Sequence, residues 1–267
     1  MKQIAERLAG EGCVSLRFDK RAARTYAPDW PKDAAEQADF FSWDAFVGDA
    51  KAGLRYLQSQ AEVDPLRTIV LGHSEGALIA MQVGADLANK AGAPAGLILL
   101  SVPGRTGAVI LREQVSANLK RAGLAADAVR PHTDYVDLAI TQLLRDGSVP
   151  PNPPAGLGAL FPRSAIKLLQ VELRLDPAKV LPLYPGPVIV VQGEKDIQVS
   201  AERDLPLVLA ALKGRNGGSV VSRIVPSASH NLKAVANENS DPGVSGPVVP
   251  DALDAVTSWM KKQIQER

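Results

Sequence analysis

The sequence predicts an α/β protein, with a mostly parallel sheet flanked by helices and a helical insertion. Three observations carry this. Short apolar runs, Thr68-Ile69-Val70-Leu71, Gly96-Leu97-Ile98-Leu99-Leu100 and Pro187-Val188-Ile189-Val190-Val191, read as strands covered on both faces. A helical pattern through Leu78, Ile79, Met81, Gln82, Ala85 and Leu87 separates the first two, which makes a βαβ unit. Between about Thr106 and Pro182 no convincing strand occurs, and the apolar spacing is helical throughout.

Each element follows from its local pattern. Ile4, Ala5, Leu8 and Ala9 share a helix face, ended by Gly10 and Gly12. Cys13–Phe18 reads as a strand closed by Asp19. Pro28 and Pro31 forbid long regular structure between Lys20 and Phe41. Ser42 or Asp44 can cap a helix whose buried stripe is Phe46, Val47, Ala50, Leu54 and Leu57. The insertion holds three amphipathic helices. They are marked by Val109, Leu111, Val115 and Leu119, by Val136, Ala139, Ile140 and Leu143, and by Leu160, Ile166, Leu169 and Leu173. Pro150, Pro151, Pro153 and Pro154 form an extended connection. A helix over about Ser200–Leu212, a strand over Val220–Val225 and a final helix with Leu253, Val256, Trp259, Met260 and Ile264 complete the chain. The expected division is a core of residues 1–105 and 183–267 with a helical cap of residues 106–182.

Composition bounds the function. The chain has 267 residues, 46% apolar and 22% charged. Thirty basic against twenty-nine acidic residues give +1, so charge offers no argument for nucleic acid or an anionic membrane as partner. One cysteine, Cys13, excludes an internal disulfide and a multi-cysteine zinc site. It is expected to be a buried, inert thiol. No apolar stretch reaches the ~20 residues of a membrane helix. The N-terminus carries charges where a secretion signal has its apolar region. A cytoplasmic location is expected for the chain as given, although an unshortened form could carry a secretion signal.

The chemistry centres on Gly72-His73-Ser74-Glu75-Gly76, between a strand and a helix. A sharp strand-to-helix turn crowds the residues two before and two after its apex, so glycine fits both. The serine is held on a strained turn at the carboxyl end of the sheet, facing a helix N-terminus. The structural alternative is a tight turn with a capping serine. A serine hydroxyl needs a base, and the base needs a carboxylate. Of three histidines, His230 lies in the loop after the strand Val220–Val225, at the carboxyl end of the sheet, and is the best base. His73 adjoins the serine, its side chain leaving the turn on another side. His132, beside Pro131 and Asp134, fits a surface or capping role. Asp196, in the loop after Val188–Val191, is the first candidate acid; Glu194 is its rival and Glu202 a weaker third. The backbone N–H of Glu75 is the identifiable oxyanion donor.

These residues resemble the α/β-hydrolase superfamily, near the bacterial serine hydrolases that include esterases and prolyl-type aminopeptidases. The resemblance rests on Ser15–Arg21, the elbow Leu71–Gly76, Pro187–Val191 with Gly193 and Asp196, and Ser229-His230. It implies a Ser74, Asp196, His230 triad, an inserted helical cap and cleavage of small or medium apolar carboxylic esters through an acyl-serine. No cofactor or metal is implied. The Leu-rich insertion with Phe161 is either an apolar pocket wall or simply the core of a helical subdomain. An aminopeptidase would use cap carboxylates, with Glu113, Asp127, Asp134, Asp137 and Glu172 as candidates. A catalytically impaired member is the alternative of a different class.

The chain departs from the family in two places. Ala22-Ala23-Arg24-Thr25 stands where members often carry glycines and a serine. The family's first three strands, and the loop that supplies half of the oxyanion hole, have no counterpart. The family strand order 1-2-4-3-5-6-7-8 would place the missing third strand between Cys13–Phe18 and Thr68–Leu71. A gap inside the sheet is therefore expected, together with marginal stability, slowed turnover and self-association through an exposed edge.

Overall fold

The computed structural model describes residues 1–237 and 241–265. The chain divides into two compact units. One comprises Met1–Phe18, Asp49–Gly104 and Pro177–Arg267, and the other Asp19–Gly48 and Arg105–Asp176.

The first unit is built on four parallel strands in the order β1-β2-β3-β4: β1 (Ile69–His73), β2 (Gly96–Leu100), β3 (Val188–Gly193) and β4 (Val220–Val225). The apolar runs form strands because sheet neighbours take their backbone groups while helices take both faces. Ile98, Leu100, Ile189 and Val191 pack in one cluster with Ile4 and Leu8 of α1 (Lys2–Ala9) and with Val256, Trp259 and Met260 of the C-terminal helix. Alternate residues Leu97, Leu99, Val188 and Val190 are equally buried. Gly84 lies so close to Leu97 that a Cβ there would sit 2.9 Å from its side chain.

The helices follow in chain order. After α1 come α2 (Ala34–Phe40), capped by Asp33, and α3 (Trp43–Gln58). Asp33 Oδ1 accepts from the N–H groups of Ala35 and Glu36 at 2.8 and 3.0 Å. This short helix fits after Pro31, in a stretch where the sequence pattern announces no element. The Ser42 hydroxyl oxygen accepts from the Ala45 N–H at 3.3 Å, as its capping role requires. Then come α4 (Glu75–Asp86), α5 (Gly107–Arg121), α6 (Ala126–Asp146), α7 (Ile166–Glu172), α8 (Pro177–Val180), α9 (Ala201–Lys213) and α10 (Pro250–Gln265).

The second unit has its own core. Val115, Val136, Ala139, Ile140, Leu143, Leu157, Phe161 and Leu173 are all buried together. Phe161 and these leucines are therefore core of the helical unit, which decides between the two readings of the Leu-rich insertion. Gly147 ends α6 in the left-handed region at φ 77°. The Tyr135 hydroxyl donates to the Pro150 carbonyl at 2.9 Å and anchors the proline connection.

Two expectations about the N-terminal region need correction. Cys13–Phe18 forms no strand. It stands across a cavity of about 390 Å³ from β1, whose lining includes Cys13–Arg17 on one side, Thr68, Ile69 and Leu71 on the other, and Ile98 and Met260. Without a neighbour within reach its backbone makes no ladder, and Val14 and Phe18 are more than half exposed. Cys13 itself is only partly buried. Its thiol is nonetheless pushed up in pKa, first by burial and then by Glu11, which keeps it protonated. The gap thus exists, but it leaves β1 as a sheet edge, and β1 is partly buried where β2 and β3 are fully buried.

The open edge has a measurable consequence. In hydrogen–deuterium exchange, amides of β1 should exchange before those of β2 and β3. Equal protection of β1 and β2 would show that something covers the edge in solution.

Candidate active site

The strand ends place the chemistry. At the carboxyl end of β1 the chain turns directly into α4. Ser74, at the apex, has φ 55° and ψ −119°, and its N–H donates to the Leu100 carbonyl at 2.9 Å. A non-glycine residue held there stores of order 1–3 kcal/mol of strain, which the β1–β2 ladder and α4 together maintain. Gly72 is obligatory: a Cβ on it would lie 1.9 Å from the Gly76 carbonyl oxygen. Gly76 has a different role from the expected one. A Cβ there would meet nothing within 4 Å, so the crowding belongs to Gly72 and to the backbone of residue 76. Ser74 remains partly exposed, and Glu75 is the first residue of α4.

The carboxyl end of β3 brings in the acid. Asp196 is tied down on both oxygens. Oδ1 accepts from the Gln198 and Val199 N–H groups, each at 2.8 Å. Oδ2 accepts from His230 Nδ1 at 2.8 Å and from Gln192 Nε2 at 3.3 Å. The Asp196 side chain is fully buried and that of His230 is 5% exposed. With Nδ1–H directed at a carboxylate, the other ring nitrogen, Nε2, carries the basic lone pair.

The His230 loop reaches Asp196 because Gly193 has no side chain. A Cβ there would fall 2.4 Å from the Ser229 carbonyl oxygen and 2.5 Å from that of Ala228. Glu194, the rival acid, fastens the same loop: its Oε2 accepts from the Ser227 N–H at 3.0 Å. Glu202 sits in the exposed first turn of α9. Beyond the loop, Lys233 Nζ donates to the Gly246 carbonyl at 2.7 Å and to Gln3 Oε1 at 3.2 Å, which ties α1 to the segment after His230.

The remaining histidines separate cleanly. His132 Nδ1 lies 3.0 Å from the Ala128 carbonyl, within α6. His73 is part of the site. Its ring packs on that of His230 with centroids 4.8 Å apart, and its Nε2 lies 2.8 Å from the His230 carbonyl oxygen. Burial is the main influence on His73 and lowers its pKa, so its ring is neutral.

Two buried polar residues escape a reading of the sequence. Ser101 is completely buried, has φ 48°, and donates from Oγ to the His230 carbonyl at 2.7 Å. Gln192 is also completely buried, and its Nε2 bridges Asp196 and the Val199 carbonyl, the latter at 2.9 Å. The one sequence signal for both is position: each directly follows an apolar run at the end of the sheet that carries the site. Among the described residues, no three histidine, cysteine or acidic side chains gather as a metal site requires.

The fold has counterparts among known proteins. No curated protein matches the chain. Among solved structures, the chain is similar to a metagenome-derived lipolytic enzyme at 15% identity, covering 86% of this chain and 78% of the other with a TM-score of 0.50. It is similar to DcsB, solved with a substrate analogue, at 17% identity, with coverage of 81% and 72% and a TM-score of 0.50. It is also similar to a putative non-heme bromoperoxidase from Mycobacterium tuberculosis at 16% identity, with coverage of 93% and 80% and a TM-score of 0.48. At such identities the likeness is one of fold. A family model matches residues 8–243, and with the elbow, the buried Asp196–His230 pair and the parallel sheet behind them, the chain belongs to the alpha/beta hydrolase family.

Proposed function

We propose that this protein is a serine hydrolase of carboxylic esters, with Ser74 as nucleophile, His230 as base and Asp196 as the orienting acid. The buried hydrogen bond from His230 Nδ1 to Asp196 carries the reading, because it leaves Nε2 as a base at the sheet end where Ser74 sits on its turn. Ser101 also meets His230, but its hydroxyl proton is given to the His230 carbonyl and it has no exposed surface.

The reaction runs in two halves. His230 Nε2 takes the Ser74 hydroxyl proton as Oγ bonds to the ester carbon. The carbonyl electrons move onto oxygen, where the Glu75 N–H and the start of α4 receive the charge. Collapse breaks the bond to the alkoxy oxygen, which takes the proton from His230 and leaves as alcohol. Water then attacks the acyl-serine, giving one proton to His230, and the bond to Oγ breaks as that proton returns to Ser74. The helical segment 106–182 serves as the cap in this reading, and the partner is a small-molecule ester. No helix among the described residues is long and apolar enough to cross a membrane.

The aminopeptidase reading needs carboxylates facing a substrate ammonium. Glu113 pairs with Arg105 at 2.6 Å, Asp137 with Arg112 at 2.8 Å and Asp134 with Arg130 at 3.7 Å. Asp127 accepts from the Ala128 N–H at 3.0 Å. These partners occupy four of the five candidate carboxylates, which favours the ester reading. Cleavage of a p-nitrophenyl acyl ester well above that of a proline anilide is the expected result, and the reverse ranking would restore the aminopeptidase.

Substitutions test the roles. Ser74→Ala should fold and lose ester turnover. Asp196→Asn should lose ~10⁴-fold in kcat, since the wrong imidazole tautomer would face the serine. Glu194→Gln keeps an acceptor for the Ser227 N–H and should stay near full activity. A larger loss in Glu194→Gln than in Asp196→Asn would move the acid. The open β1 edge also supports self-association. Size-exclusion chromatography across concentration should show a growing dimer fraction, and a monomer at all concentrations would refute it.

A further inference from the structure

The geometry points to His73 and Ser101 as positioning residues that jointly hold His230 by its backbone carbonyl, an inference that rests on His230 being the base. The His230 carbonyl oxygen lies 2.8 Å from His73 Nε2 and 2.7 Å from Ser101 Oγ. A carbonyl only accepts, so His73 must carry its proton on Nε2, and the Ser101 hydroxyl must point its hydrogen the same way. The donors stand at the carboxyl ends of neighbouring strands: His73 is the last residue of β1 and Ser101 directly follows β2. The two strands thus grip the loop that descends from β4.

This grip complements the one on the ring. Asp196 fixes the Nδ1 side of the imidazole, and Asp196 is itself fixed by Gln198, Val199 and Gln192. A ring bonded at one atom can still pivot with its backbone. Two donors on the carbonyl remove that freedom, and the His73 ring against the His230 ring limits tilting. Neither residue needs to touch substrate for this. A displacement of about 1 Å at a reacting group can cost about a hundredfold in rate, so a backbone clamp has catalytic consequences.

The clamp also explains two oddities. Ser101 adopts φ 48°, unfavourable for a residue with a Cβ, while its N–H stays in the ladder by donating to the Val191 carbonyl at 2.8 Å. That backbone aims the side chain out of the strand direction and at the His230 loop. His73 stands where an apolar strand gives way to the elbow, and its use is the Nε2–H donor together with a flat ring.

The test uses the full chain with a p-nitrophenyl ester and, independently of turnover, the low-field proton resonance of His230 Nδ1–H. His73→Phe keeps the ring and removes the donor, His73→Gln returns a donor without the ring, and Ser101→Ala removes the other donor. Each single donor loss should lower kcat about twofold to tenfold with KM unchanged, the range of one hydrogen bond. The His73→Phe/Ser101→Ala double variant should lose more than the product of the two single losses, because either donor alone still holds the carbonyl. The resonance should stay sharp in the singles and broaden in the double. His73→Gln should recover most of the loss seen in His73→Phe. If the double variant does not fold, the contrast between His73→Phe and His73→Gln decides. Unchanged kcat and an unchanged resonance in folded variants would overturn the inference, as would losses confined to KM or no recovery in His73→Gln. If the wild-type chain cleaves no ester, the resonance alone judges the clamp, and the failure lies with the hydrolase reading.

Discussion

The buried hydrogen bond between Asp196 and His230 is the constraint around which the rest of the first unit is arranged. A carboxylate taken out of water must be surrounded by donors. Asp196 receives them from two backbone N–H groups, a glutamine and the imidazole. Supplying them requires the loop after β3 to curl back on itself and the loop after β4 to pass against β3. Gly193 permits that passage, and Glu194 and Lys195 pin it: the Lys195 N–H donates to the Ala228 carbonyl at 2.8 Å, and Glu194 holds the Ser227 N–H. The β1 and β2 ends then close on the His230 carbonyl. All four strands contribute one group, which is what a parallel sheet offers, since all of its carboxyl ends point to one side.

Local signals made much of this legible. Ile69–His73, Gly96–Leu100, Val188–Gly193 and Val220–Val225 are strands because their apolar runs are too short for helices and are punctuated by glycine and proline. Gly72 and Ser74 were readable as a turn because the steric demand lies within five residues. Asp196 and His230 were readable from chain order and strand position. The rest required the third dimension. Ser101 and Gln192 look like ordinary polar residues at strand ends, and nothing local says that one meets a carbonyl 129 positions away. His73 reads locally as an elbow residue whose side chain leaves the turn on another side, and nothing local names the carbonyl it meets 157 positions away.

Cys13–Phe18 failed in the opposite sense. Its alternation of apolar and polar residues is a strand pattern, but pattern supplies only one half of a strand. The other half is a neighbour at about 4.8 Å, and among the described residues Cys13–Phe18 pairs with no strand of the sheet. The leucines of the insertion were ambiguous because a pocket wall and a core use the same residues. Leu143, Leu157 and Leu173 are buried together with Phe161 and are core of the helical unit.

In the proposed reaction the acyl group is transferred to Ser74 Oγ and not to Ser101 Oγ. The most direct measurement is acid quenching of the protein during turnover of a p-nitrophenyl ester, followed by peptide mapping of the trapped acyl group by mass spectrometry. A single acylated peptide with the modification on Ser74 is expected, and none in Ser74→Ala. Acyl label on Ser101, or on any residue in the Ser74→Ala protein, would contradict it.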